Sequence, residues 1–187
     1  MEAGESEWTR SIHDQVARLS KLTERLVFLA RMDEGAGFSL EDISLTEVVE
    51  RAAAPYTAVA RARDLHLSCD IQPGVRCRGD AAALAQAVEL LLDNAMRYAS
   101  SGSVVELSLK TQGRRRVLAV RNACDTMPAG DLDRLFERFY RADESRSRAT
   151  GGSGVGLSVV RAVAETHHGT ARCRAVDAHT IELSVEL

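Results

Sequence analysis

The chain has 187 residues, 24 Lys+Arg against 27 Asp+Glu, a formal net charge of −3, and 45% hydrophobic residues of which few are aromatic. That is enough for one domain of ordinary size, with or without an appendage, and for a proper core. The weakly acidic balance argues against nucleic acid or an anionic membrane as the main partner, and no membrane-length apolar run or signal peptide is visible.

Residues 5–34 are predicted to form one long helix, because Ile12, Val16, Leu19, Leu22, Leu26, Leu29 and Met32 recur by threes and fours. Ser11, Arg18, Lys21, Glu24, Arg25 and Arg31 fill its other faces. A helix of that length with a single apolar stripe is marginal alone and wants partner helices. Gly35 and Gly37 stop it and open a short linker. A second unit, 38–187, follows. It is expected to begin with a short strand at 43–45 and a helix at 46–63, with Val48, Val49, Ala52, Tyr56 and Val59 inward. Residues 65–71 alternate as a half-buried strand, turned by Pro73-Gly74.

Residues 80–99 read as an amphipathic helix: Asp80 is a good N-cap, and Leu84, Val88, Leu91, Leu92 and Ala95 keep helical spacing. Asn94 and Tyr98, four apart, share a face. A carboxamide oxygen suits a hard cation such as Mg²⁺, which takes few protein ligands and keeps waters and phosphate oxygens; the plainer reading of Asn94 is a surface helix residue. Strands at 104–111 and 116–122 form a hairpin about Gly113, and 131–139 reads as a short helix. Arg138, Arg141, Arg146 and Arg148 then populate a polar stretch that reads either as a cationic lid over phosphate or as a solvated loop.

The run Thr150-Gly151-Gly152-Ser153-Gly154-Val155-Gly156-Leu157 leads straight into a helix at 155–168. Glycines permit positive φ and close ligand approach, and the helix start aims unpaired N–H groups at whatever fills the loop. Phosphate is the natural occupant, although a flexible loop capping a helix is the alternative. No Gly-Lys-Ser/Thr follows, so this is not a P-loop, and the context of a dinucleotide fingerprint is missing. Strands at 171–176 and 180–187 close the chain. Hairpins in place of regular βαβ crossovers indicate a two-layer α/β sandwich with a mixed sheet, preceded by the long helix. Cys69, Cys77, Cys124 and Cys173 lack metal-ligand spacing and read as reduced cysteines of a cytosolic protein.

Three segments resemble the motifs of sensor histidine kinases in the family's order. Residues 91–98 (Leu-Leu-Asp-Asn-Ala-Met-Arg-Tyr) resemble the N box, 134–143 (Arg-Leu-Phe-Glu-Arg-Phe-Tyr-Arg-Ala-Asp) the F box, and the glycine run the G2 box. The end of the first helix, 26–35, resembles the second helix of the dimerisation hairpin. The resemblance implies the Bergerat ATP-binding fold, shared with type II topoisomerases, Hsp90 and MutL-type ATPases. It assigns 1–35 to the dimerisation helix and 38–187 to the catalytic ATP-binding domain. It implies ATP and Mg²⁺ as ligands, with Asn94 holding the metal and Asn94 and Arg138 in the catalytic role. Nucleotide contacts would come from Asn94, Arg97, Tyr98, Asn122, Asp125, Met127, Phe139, Arg141, Gly152, Gly154, Val155, Gly156 and Leu157.

The sequence departs from the family at the adenine end. Where Asp-x-Gly-x-Gly is usual, counting back from Phe136 gives Asn122, Cys124 and Thr126; a shifted register would present Asp125 instead. Asn accepts the adenine amino group without the charge that strengthens the bond. Leu90 stands where the family often has an Asn, four residues before Asn94. His13-Asp14 looks superficially like a phosphoacceptor, but no Pro follows at the usual place and Ala17 replaces the common Thr or Asn, so His13 is read as an ordinary helix residue. His66, His167, His168 and His179 fall in the ATP domain, His167-His168 resembling the family's His-Gly at a helix end. The resemblance further implies an acceptor helix and a membrane sensor region upstream, with this chain on the cytoplasmic side of the cell membrane. Its partners would be a second copy, through the helical hairpin, and a response regulator receiver domain, with no nucleic acid. Two rivals stand beside this: a degenerate module that binds nucleotide weakly and only relays conformation, and an anti-sigma-type serine kinase on the same fold.

Overall fold

The structure, a computed structural model, describes residues 7–33, 38–140 and 154–187. Helix α1 (Glu7–Asp33) runs as one piece, as its apolar stripe predicts. Strand β1 (Glu41–Ser44) leads into α2 (Leu45–Ala53), where the Ser44 side chain caps by accepting the Glu47 N–H. The single helix expected over 46–63 is two, α2 and α3 (Tyr56–Ala62). Pro55 has no N–H to continue the ladder, and it starts the second helix instead. Strand β2 (His66–Ile71) precedes the Gly74 turn, at φ +72°, and β3 (Arg76–Gly79). Sequence reading missed β3, because four residues alternating Arg with Cys and Gly carry little strand signal; its strand character comes from antiparallel pairing with β1.

Helix α4 (Ala81–Tyr98) is capped as expected, Asp80 accepting the Ala83 N–H at 2.9 Å. Strands β4 (Val104–Gln112) and β5 (Arg115–Ala123) form the expected hairpin. The short helix expected over 131–139 is a tighter 3₁₀ turn, Leu132–Phe136, capped by Asp131. Helix α5 (Gly156–Thr166), β6 (Thr170–Ala175) and β7 (Thr180–Glu186) complete the described chain.

The main sheet has the order β2-β4-β5-β7-β6; β2 runs parallel to β4 and the other pairs are antiparallel, so the sheet is mixed. Strand alternation sorts its residues. Val105, Leu107, Leu109, Leu118, Val120, Ile181, Leu183 and Val185 are buried, and they join Leu84, Val88, Leu91 and Leu92 of α4 and Val159, Val160 and Val163 of α5 in one core. Each fully buried Leu or Val there contributes about 1.5–3 kcal/mol. The other sheet face carries ion pairs: Asp70 with Lys110, Arg115 with Glu186, and Glu182 with both Arg121 and Arg174. Helices on one side and charges on the other make the expected two layers.

Helix α1 divides into two parts. Leu29 is buried against the core, Leu22 and Phe28 pack beside it, and the Phe28 ring meets Phe38 edge-on at 5.9 Å. Toward its start, Trp8, Ile12, Val16 and Leu19 are exposed, Trp8 to 80%. Among the described residues no helix is long and apolar enough to cross a membrane.

Candidate functional site

Helices α4 and α5 pack side by side and bring the two sequence-predicted halves of a site together. A Cβ placed on Gly156, the first residue of α5, would lie 3.5 Å from Leu90 Cδ2, one turn before Asn94 on α4. At the N-terminus of α5 no described residue provides a side-chain cap: Val155 precedes it, fully buried, and Ser158 donates its hydroxyl to the Val155 carbonyl. Leading N–H groups without a side-chain acceptor at a glycine-led helix start are what an anion needs.

The foot of the glycine loop is anchored to the segment ending at Tyr140. Phe139 donates its N–H to the Gly154 carbonyl at 2.9 Å. Both residues hold positive φ, +63° at Phe139 and +69° at Gly154, and a Cβ on Gly154 would lie 3.0 Å from the Phe139 backbone. A bulky residue at positive φ is uncommon and costs on the order of 1–3 kcal/mol, so Phe139 is held there by its surroundings. Phe139 is 63% exposed. Arg138 is exposed, while Arg134 stacks over the Tyr140 ring at 4.4 Å. Arg141, Arg146, Arg148, Gly151, Gly152 and Ser153, all named from sequence, lie outside the described residues.

On α4, Asn94 is half-buried and its carboxamide makes no hydrogen bond to a described residue. Its neighbour Asp93 is fully engaged: Tyr56 donates its hydroxyl to Asp93 Oδ1 at 2.8 Å, and Arg25 Nη2 of α1 lies 3.5 Å from Oδ2. Burial, reinforced by the Asp93 carboxylate, pushes the Tyr56 hydroxyl well above the usual phenol range, so it stays a donor. Neither Tyr56 nor Arg25 was singled out as functional from sequence. Helical spacing did mark Tyr56 as inward, but a contact 37 residues away has no local signal. Arg97 is half-buried and Tyr98 exposed, one turn beyond Asn94 on the expected face.

At the far end of β5, Asn122 is the last member of the inward row Leu118, Val120, Asn122 and is buried. Its Nδ2 donates to the Ala123 carbonyl at 3.0 Å. The Ala123 carbonyl also accepts from the Ser100 N–H just past α4, which brings Asn122 to the helix end that carries Tyr98. Asp125, the alternative, is exposed. Cys124 is buried, its Sγ 3.1 Å from Met127 Sδ and 3.5 Å from the His179 carbonyl. Burial first, then the Asp125 and Asp177 charges, raise its thiol pKa and so disfavour the reactive thiolate. A magnesium ion fits Asn94 in one way only. Among the described residues no cluster of His, Cys, Asp or Glu offers a metal cage, so the single carboxamide would share the ion with waters and phosphate oxygens.

The sequence profile of the family described as "Histidine kinase-, DNA gyrase B-, and HSP90-like ATPase" matches residues 79–187. The chain is 33% identical over 175 residues to the sensor-like histidine kinase SenX3 of Mycobacterium tuberculosis, covering 91% of this chain and 43% of SenX3. It is 35% identical over 157 residues to the sensor histidine kinase YkoH of Bacillus subtilis, covering 84% of this chain and 34% of YkoH. The chain thus spans less than half the length of these curated relatives. Its fold matches the histidine kinase AdeS of Acinetobacter baumannii with a TM-score of 0.78 at 21% identity, over 98% of this chain and 85% of that one.

Proposed function

Because this chain belongs to the histidine kinase-, DNA gyrase B-, and HSP90-like ATPase family, we propose that residues 38–187 are the ATP-binding catalytic domain of a sensor histidine kinase in a two-component system. The observation that carries the reading is the meeting of the uncapped, glycine-led start of α5 with the Asn94 face of α4. ATP would lie with its base toward Asn122 and Met127, near Tyr98, and its phosphates over Gly154, Val155, Gly156 and Leu157. Asn94 would hold Mg²⁺, which when bound neutralises phosphate charge, and Arg97, Arg138, Phe139 and Arg141 would border the phosphates. The chain's contribution to γ-phosphoryl transfer onto a histidine is positioning and charge neutralisation.

Helix α1 serves in this reading as the second helix of a dimerisation hairpin. Its exposed Trp8, Ile12, Val16 and Leu19 keep the spacing of a helix-packing seam, and a second copy of the chain with its hairpin is the partner that covers them. A response regulator receiver domain accepts the phosphoryl group next, and the parent protein is membrane-anchored with this part on the cytoplasmic side. Calorimetric titration with Mg²⁺ and a non-hydrolysable ATP analogue tests the reading. One magnesium-dependent site per chain is expected, and no heat in the presence of magnesium would overturn it. Incubation of this chain alone with labelled ATP is expected to give no acid-labile label; label that vanishes in His13→Gln would make His13 the acceptor.

A further inference from the structure

Arg25 belongs to α1, yet its guanidinium reaches the junction of the two helices that form the phosphate end of the site. Nη2 lies 3.5 Å from Asp93 Oδ2, beside Asn94, and Nη1 lies 3.8 Å from where a Cβ on Gly156 would stand. The side chain is only 20% exposed, so the charge is held there and does not sweep through solvent. The position is electrostatically odd. The first turn of α5 is the positive end of its dipole and has no side-chain cap from a described residue, and a cation is disfavoured at that end. Asp93 offsets part of this, but its other oxygen is taken by Tyr56 and the ion pair is long and one-pronged. An anion between Arg25 and the α5 N-terminus would satisfy both at once. The neighbouring α4 surface at that point is Leu90, which offers no polar group.

We propose that Arg25 is a further ligand of the nucleotide polyphosphate, delivered to the ATP domain by the long helix; the proposal rests on the nucleotide reading of the site. A guanidinium with five donors can release Asp93 or share it while it binds phosphate oxygens. The consequence is reciprocal: if α1 must be seated to bring Arg25 to phosphate, bound polyphosphate holds α1 on the domain by the same free energy.

The test uses the whole chain as wild type, Arg25→Met and Arg25→Lys, each first checked by thermal melting for an intact fold. A non-hydrolysable ATP analogue with Mg²⁺ is titrated by calorimetry, and adenosine, which lacks phosphate, by chemical-shift perturbation. Arg25→Met should weaken the analogue roughly tenfold, the scale of a lost hydrogen-bonded charge contact. It should leave adenosine within about twofold, with Arg25→Lys falling between. An analogue affinity unchanged in Arg25→Met overturns the Arg25 proposal and leaves the ATP reading standing, and so does an equal loss for adenosine, which would mark Arg25 as a packing residue of α1. Failure of the wild type to bind either compound overturns both.

Discussion

His167 Nε2 accepts the backbone N–H of Asp80 at 2.9 Å, while its Nδ1 meets the Val163 carbonyl at 2.7 Å. Only the tautomer with the proton on Nδ1 satisfies both contacts. The ring therefore ties the end of α5, which begins at the glycine loop, to the start of α4, which carries Asn94. Gly79 makes room for it, since a Cβ there would stand 2.8 Å from the ring.

His167→Ala should cost about 2–4 kcal/mol, because it leaves the half-buried Asp80 N–H without its acceptor and opens a void where the buried ring stood. Urea unfolding measures the loss, and a midpoint equal to wild type would remove His167 from its structural role. Gly79→Ala should be similarly damaging by a different route, a clash with His167 and Leu84.

Gly154→Ala places a Cβ 3.0 Å from the Phe139 backbone at a φ of +69°. The first effect is steric and the second conformational, and both act on the foot of the proposed phosphate loop. Nucleotide affinity should fall by about tenfold or more, with a stability loss of only about 1–2 kcal/mol, since Gly154 itself is only half-buried. Calorimetry and thermal melting on the same sample separate the two, and full binding in the variant would dissociate this loop from phosphate.

Most of this architecture was legible in the sequence because most elements announce themselves locally. The α4 face, the β4-β5 hairpin and the final hairpin follow from periodicity and turn glycines. The misses have non-local causes. Strand β3 exists only by pairing with β1, and the apolar spacing that continues on both sides of Pro55 suggests one helix over 46–63 where the structure has two. In the site, Asn94 and the glycine loop carry local signals. Arg25 and Tyr56 both contact Asp93, which no spacing rule connects to either.

Glu182 is buried between Arg121 and Arg174 on the open sheet face. Burial alone would raise its carboxyl pKa, but the hydrogen bonds and charges of Arg174 and Arg121 prevail and hold it below the usual range. A carboxyl depressed in the folded state stabilises above its unfolded pKa of about 4.3 and loses that contribution as pH falls through the lower folded value. Glu182→Gln should therefore be less stable than wild type by about 1–2 kcal/mol at neutral pH. The gap should close below about pH 4. A gap independent of pH across that range would assign the loss to packing.

Asn94→Ala or Asn94→Asp should abolish magnesium-dependent nucleotide binding and leave the apo melting temperature nearly unchanged. The carboxamide is half-buried and makes no hydrogen bond to a described residue, so its removal breaks nothing in the apo fold. Binding unaltered in either variant would remove Asn94 from the magnesium site.

Asn122 gives the prediction in which stability and binding move in opposite directions. In the apo protein its Nδ2 donates to the Ala123 carbonyl at 3.0 Å, and the side chain is buried. Aspartate at this position loses that donor and sets a carboxylate oxygen against a carbonyl, so Asn122→Asp should lower apo stability by about 1–3 kcal/mol. With adenine present, the carboxylate accepts from the amino group through a charge-assisted bond, stronger than the neutral one by on the order of 1 kcal/mol. That is roughly a fivefold tightening, since about 1.4 kcal/mol is tenfold. GTP offers a carbonyl at the same place and should gain nothing. The signature is a lower apo melting temperature with a larger upward shift on adding ATP, read in one thermal-shift series. A gain shared by GTP would remove Asn122 as the reader of the adenine amino group, and no gain together with loss of binding in Asp125→Ala would move that role to Asp125.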